Sequence, residues 1–177
     1  MNHHRHVLTP VIALALLSTL VVGCSPSPTP RPTPTAAFAT EEEAFAAAEE
    51  TYRAYIDALN QVDFAEPTTF EPVYALLQSS AASSTRKTFS QFHAESLRVT
   101  GTTAYNSFEG NTADLARGEI RARVCLDVTA VDVLDPEGRS VVSPERESLQ
   151  PMAIIFRTDE AAELRISSLS GSEEFEC

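Results

Sequence analysis

The chain has 177 residues, with 13 Lys and Arg against 25 Asp and Glu, and a formal net charge of −12. Once an N-terminal leader is set aside, that length accommodates one domain. The acidic balance argues against nucleic acid as a partner and against electrostatic docking on anionic lipid.

Residues 1–23 read as an export signal. His3, His4, Arg5 and His6 precede an apolar run from Val11 to Val22, which is short for a bilayer span and interrupted at its start by Pro10. The run ends in Leu20-Val21-Val22-Gly23-Cys24, which resembles the bacterial lipobox. The resemblance implies cleavage before Cys24, a diacylglyceryl group on its sulfur and later N-acylation, palmitate being typical. It also implies a secreted protein held by lipid at the extracytoplasmic face of the cell membrane. One acyl chain holds a protein marginally, whereas two hold it stably. Removing residues 1–23 takes away one arginine and no acid, moving the net charge from −12 to −13 and leaving His93 as the sole histidine.

Residues 24–40 form the tether. From Ser25 to Thr35 proline occupies every second position, which forbids helix and sheet ladders and favours the extended polyproline conformation. At about 3.1 Å per residue this stretch reaches roughly 35 Å and holds a domain spanning 41–177 off the membrane.

Thr40 followed by Glu43 reads as a capping box, with three consecutive glutamates at the positive end of the helix dipole. Phe45, Ala48, Tyr52, Tyr55, Ile56 and Leu59 recur at helical spacing. Asn60 to Pro67 breaks that helix. A second is expected from Thr69, with Pro72 in its first turn and Val73, Leu76 and Leu77 buried. A weak Ser/Ala stretch, Ser79 to Ser84, leads to a third, which presents Phe89, Phe92 and His93 on one face. Gly101 ends the helical segment.

Strand grammar follows. Tyr105 to Phe108 ends at Gly110, and Gly118 precedes a long run from Glu119 to Val133. Asp135-Pro136-Glu137-Gly138 has the residues of a turn. Two more strands lie around Met152–Arg157 and Leu164–Ser168. The parity of the long run puts Ile120, Ala122, Val124, Leu126 and Val128 on one face, meeting Met152, Ile154 and Phe156 and then Leu164 and Ile166. Opposite parity gathers Arg121, Arg123, Cys125 and Asp127 beside Arg157 and Arg165.

Three N-terminal helices before a bent four-stranded antiparallel sheet, with Val124-Cys125-Leu126-Asp127-Val128, the Asp135–Gly138 hairpin and Cys177 at the end, resemble small bacterial lipoproteins with the nuclear-transport-factor-like cone, also called cystatin-like or SnoaL-like. The resemblance implies an α+β cone with the helices packed on the sheet. Cone proteins include enzymes, binders and dimer modules, so fold does not choose function.

The residues for chemistry are sparse. One mature histidine supplies no His-based zinc site, the thiols are too few for a thiolate one, and the glycines stand singly at turns, so neither metal nor cofactor is expected. Ser84-Thr85-Arg86-Lys87 fits the Ser-x-x-Lys pattern of penicillin-binding proteins, but the partner motifs are missing. Cone enzymes set an acid or base inside an apolar pocket, and no sheet position facing the helices carries one. His93, Tyr52 and Tyr55 are the possible pocket residues. The favoured reading is a non-enzymatic, monomeric, membrane-tethered module that binds a protein, a wall component or a small apolar ligand. The alternative is a SnoaL-like cyclase or isomerase using His93 or a tyrosine.

With Cys24 consumed by lipid, Cys125 and Cys177 are the thiols left, and one intramolecular pairing exists in an oxidising location. The acidic tail, Glu173, Glu174 and Glu176, is expected to fold across the arginine face and close that disulfide. For the anchor the test is Cys24→Ala: unprocessed precursor without lipid should accumulate, and continued processing with acyl labelling contradicts the lipobox.

Overall fold

The computed structural model describes residues 37–177. The export signal, Cys24 and the proline-rich run lie outside the described residues. Three helices precede two antiparallel sheets, one of four strands in the order β2 (Ala104–Asp114), β3 (Glu119–Asp127), β5 (Leu149–Thr158), β6 (Leu164–Gly171), and one of two, β1 (Arg98–Thr100) with β4 (Asp132–Leu134).

Helix α1 spans Glu41–Leu59. Thr40 Oγ1 accepts the Glu43 N–H at 3.1 Å, and Glu43 reaches back to the Ala39 N–H at 2.8 Å. The box therefore closes one residue further out than its usual form, still satisfying two free donors. Ala44, Ala48, Tyr52 and Ile56 form the buried stripe. Phe45 sits over Gly110, where any Cβ would enter its ring. That contact explains a glycine inside a strand.

The second helix divides. Pro67–Phe70 is a 3-10 turn and Glu71–Ala75 is α2. Val73 is buried, but Leu77 lies beyond the helix and bridges Ile166. Gln78 N–H donates to the Ile166 carbonyl at 2.8 Å, and Ile166 N–H donates to Leu76 at 2.9 Å. The segment thus covers part of the β6 edge.

Helix α3 spans Ser79–Ala94, so the Ser/Ala stretch belongs to the helix rather than preceding it. Its serines have local acceptors: Ser83 and Ser84 donate to the Ser80 carbonyl, and Ser80 Oγ donates across to Ser167 O at 3.0 Å. Small side chains let this end of α3 approach β6, with Ala81 buried beneath it.

The helical segment ends at Ala94, before Gly101. Strand β1, Arg98–Thr100, follows, then β2, Ala104–Asp114, which runs through Gly110. β3 is Glu119–Asp127 and stops well short of Val133. Asp127 Oδ1 accepts the Thr129 N–H at 2.9 Å, turning the chain. β4, Asp132–Leu134, leaves the main sheet and pairs with β1, setting Val99 opposite Val133. Gly101, at φ 81°, lies against the Ala130 carbonyl where no Cβ fits. Arg146 donates to the carbonyls of Val128 and Val131 at 3.0 and 2.6 Å, tying this small ribbon down. The turn at Asp135 forms as its residues suggest, with Gly138 N–H donating to Asp135 O at 2.9 Å. β5 is Leu149–Thr158 and β6 is Leu164–Gly171.

The sheet parity is as read. Ile120, Ala122, Val124, Ile154, Phe156 and Ile166 are buried against the helices. Each fully buried aliphatic or aromatic side chain among them stabilises the fold by about 1.5–3 kcal/mol. On the outer face the counter-charges differ from the expectation. Glu119 pairs with Arg121 at 2.7 Å and with Arg157, and Arg165 pairs with Glu163 at 2.7 Å and Asp159 at 3.1 Å. Acids on or beside the same strands reach the guanidiniums first. The hydrogen bond from Arg157, then that from Arg121, holds the Glu119 carboxyl below its ordinary range.

The tail nonetheless crosses this face. Ser172 N–H donates to Pro151 O at 2.9 Å, and Phe175 lies over Arg123, 5.5 Å from guanidinium carbon to ring centre. The tail is thus held by an aromatic contact rather than by its glutamates. Cys125 and Cys177 sit as a disulfide, with Cα atoms 5.6 Å apart, inside the range a bridge requires. Closing a loop with a sequence separation of 52 contributes about 4 kcal/mol by the chain-entropy model. Cys177→Ser should lower the melting temperature by about 10 °C. An unchanged midpoint in thermal denaturation contradicts the bridge.

Candidate functional site

Two aromatic clusters divide the interior. Tyr52, 1 % exposed, has ring centres of Tyr105, Tyr55 and Phe108 at 5.2, 5.9 and 6.2 Å. At the other end Phe64 packs on Phe70, Phe89 and Phe92 at 5.7, 5.2 and 5.1 Å. The second cluster opens into a hollow of about 220 Å³, lined also by Leu59, Val62, Val99, Val131 and Val133. Its polar lining is Asn60, Thr88 and Thr103. No acid, base or histidine lines it.

Each wall has a local cause. Val62 and Phe64 come from the turn after α1, Phe89 and Phe92 from the inner side of α3, and Val99, Val131 and Val133 from the β1–β4 ribbon and its approach. Asn60 caps α1 and clamps the opposite loop: its Nδ2 donates to Thr103 O at 2.8 Å, and Thr103 N–H donates to its Oδ1 at 2.9 Å. Each half of the amide thereby has a partner, which ties the end of α1 to the loop before β2. The sequence showed Asn60 as a helix breaker, not as a clamp.

The sequence-derived pocket residues separate. Tyr52 and Tyr55 come together with Tyr105 in the first cluster. His93 does not join them. It follows Phe89 by four residues on the same side of α3 but lies at its exposed edge. Its Nδ1 lies 2.6 Å from Phe64 O. A carbonyl only accepts, so Nδ1 carries the proton there. The ring borders a separate outer hollow with Asp63, Arg98 and Asp135. Ser84 donates to the Ser80 carbonyl at 2.5 Å, and Lys87 is exposed, so this pair forms no nucleophile and base. Among the described residues, no group of His, Cys, Asp and Glu is placed to hold a metal, and no helix is long and apolar enough to cross a membrane.

What the sequence reading missed is the valine wall. Arg98-Val99-Thr100 and Val131-Asp132-Val133 each alternate over three residues, a signal too short to stand alone.

No family model matches the chain, and no curated protein does. Similar solved structures include a candidate aromatic ring hydroxylase from Novosphingobium aromaticivorans, at 14% identity and a TM-score of 0.49 over 74% of this chain and 94% of that one. A Catenulispora acidiphila protein in complex with S-DNPA is 11% identical, with a TM-score of 0.46 over 72% and 90%. A conserved protein from Planctomyces limnophilus is 10% identical, with a TM-score of 0.40 over 72% and 96%. At these values the likenesses assign no activity to this chain.

Burial pushes the Tyr55 phenol up to about 12. Tyr52 is raised too, by burial first and then by the Tyr55 and Tyr105 phenols beside it. A raised folded-state pKa means that the neutral phenol is favoured by folding. That stability is whole below the unfolded value of about 10 and is lost as pH climbs from there through 12. Alkaline titration at 295 nm should therefore show tyrosine ionisation delayed and coincident with unfolding. Full ionisation near pH 10 in the folded protein contradicts the buried cluster.

Proposed function

We propose that this protein is a non-enzymatic binding module of the cone type, whose pocket takes a small uncharged apolar ligand, held at the outer face of the cell membrane by lipid on Cys24. The observation that carries the binding reading is the lining of the 220 Å³ hollow: three phenylalanines and four valines line it, and no ionisable side chain joins them. Such a wall offers dispersion contacts and desolvation but no charge to recognise or proton to transfer. The pocket sits in a chain of net charge −12, which disfavours an anionic ligand further. Tethering follows from the lipobox resemblance and suits a protein that meets apolar compounds near a membrane.

An isomerase or cyclase needs an acid or base that touches the ligand. His93 and Tyr52 lie outside the hollow, and burial, which pushes the Tyr55 phenol up to about 12, leaves it a poor base. The binding reading is therefore the better supported of the two.

The test uses the uncharged dye N-phenyl-1-naphthylamine. Its fluorescence should rise saturably with the protein, and Val131→Trp, which fills the hollow from the ribbon, should weaken binding at least tenfold with little change in melting temperature. The anionic dye 8-anilinonaphthalene-1-sulfonate should bind at least tenfold more weakly than the neutral one. Equal binding of the two dyes, or a Val131→Trp variant that binds like the parent, contradicts this reading.

A further inference from the structure

A second hollow adjoins the first on α3. It measures about 230 Å³ and is lined by Tyr55, Ala81, Ser84, Thr85 and Leu169 together with Thr88 and Phe89. Thr88 and Phe89 also line the first hollow, so the two share these walls and follow one another along the helix. Ser84 and Thr88 are one turn apart, about 6 Å along the axis.

The two ends differ in chemistry. Toward the ribbon the walls are Phe64, Phe92, Val99, Val131 and Val133. Toward the start of α3 they carry hydroxyls, from Ser84, Thr85 and Thr88, with the Tyr55 phenol beside them. Neither lining includes Asp, Glu, Lys, Arg or His.

We propose that the two hollows together seat a neutral single-chain amphiphile, with its aliphatic chain between the phenylalanines and valines and an uncharged hydroxyl or ester head at Ser84, Thr85 and Thr88. This deepens the binding reading above and rests on it. The linear arrangement selects a chain, because a compact ring system fills one hollow and leaves the other empty. The missing cations select a neutral head, because a carboxylate brought here gains no charged partner. The hydroxyls replace the hydrogen bonds that a neutral head gives up on leaving water.

The experiment is displacement of N-phenyl-1-naphthylamine by hexan-1-ol, octan-1-ol, decan-1-ol and decanoate at pH 8. Affinity should rise roughly tenfold for each two methylenes from hexanol to decanol, as burial of about 0.8 kcal/mol per methylene requires. Decanoate should bind at least tenfold more weakly than decanol. Thr88→Trp, on an exposed position of α3, should separate the hollows and remove the gain in affinity from hexanol to decanol. A plateau at hexanol, a decanoate as tight as decanol, or a Thr88→Trp variant that keeps the full chain-length gain overturns the proposal while leaving the simple apolar pocket standing. Failure of both the dye and every alcohol to bind overturns the underlying reading as well.

Discussion

Strand β3 is the constraint on which the other features depend. It is hydrogen-bonded on both sides, to β2 and to β5, and its residues alternate strictly between an apolar side and a charged one. Ile120, Ala122 and Val124 are all but sealed from solvent, while Arg121, Arg123 and Cys125 face the other way. A slip of one residue would put guanidiniums against the helices and valine into water. The alternation therefore fixes the register, the inner face that receives α1 and α3, and the outer face on which the tail is fastened.

The two faces solve different problems. Inside, the fold needs volume filled without charge, and it uses aromatic rings from three segments to do so. Outside, four arginines need neutralising, and the nearest acids do that: Glu119 serves two and Glu163 with Asp159 serve a third. Arg123 is left for the ring of Phe175. Phe175 and the Cys125–Cys177 bridge together fasten the tail, so a flexible terminus becomes a cover for the sheet. The open end of the helical layer is closed differently, by the β1–β4 ribbon, and the hollow lies where ribbon and helices meet.

The main sheet and the first helix were legible in the sequence because long periodic segments carry their own signal. Ile120 to Val128 alternates over nine residues, and Thr40 with Glu43 marks a helix start at short range. The disulfide was legible by elimination once Cys24 was assigned to lipid. The ribbon was not. Val131 and Val133 fall on the opposite parity to Ile120–Val128, a shift hidden inside one strand-like run, and the break rests on an Asp127 turn, a glycine pressed against Ala130 and an arginine from residue 146. The Ser/Ala start of α3 hid for a similar reason, since its serines are helical only because Ser80 finds an acceptor on β6. His93 was grouped with Phe89 and Phe92 because that spacing marks one helix face, yet it lies at the solvent edge of the face, against the Phe64 carbonyl. With the ribbon unseen and His93 misplaced, the candidate site moved from a tyrosine and histidine pocket to a phenylalanine and valine one.

The proposed ligand needs the two uncharged hollows along α3 to act as one seat, bounded by the phenylalanine cluster and the ribbon. The decisive measurement is a crystal structure of the protein grown with decan-1-ol. One continuous chain of density should run from the valines of the ribbon, past Thr88, to a hydroxyl beside Ser84 and Thr85. Hollows filled by the protein's own side chains, with the alcohol bound elsewhere or not at all, would contradict it.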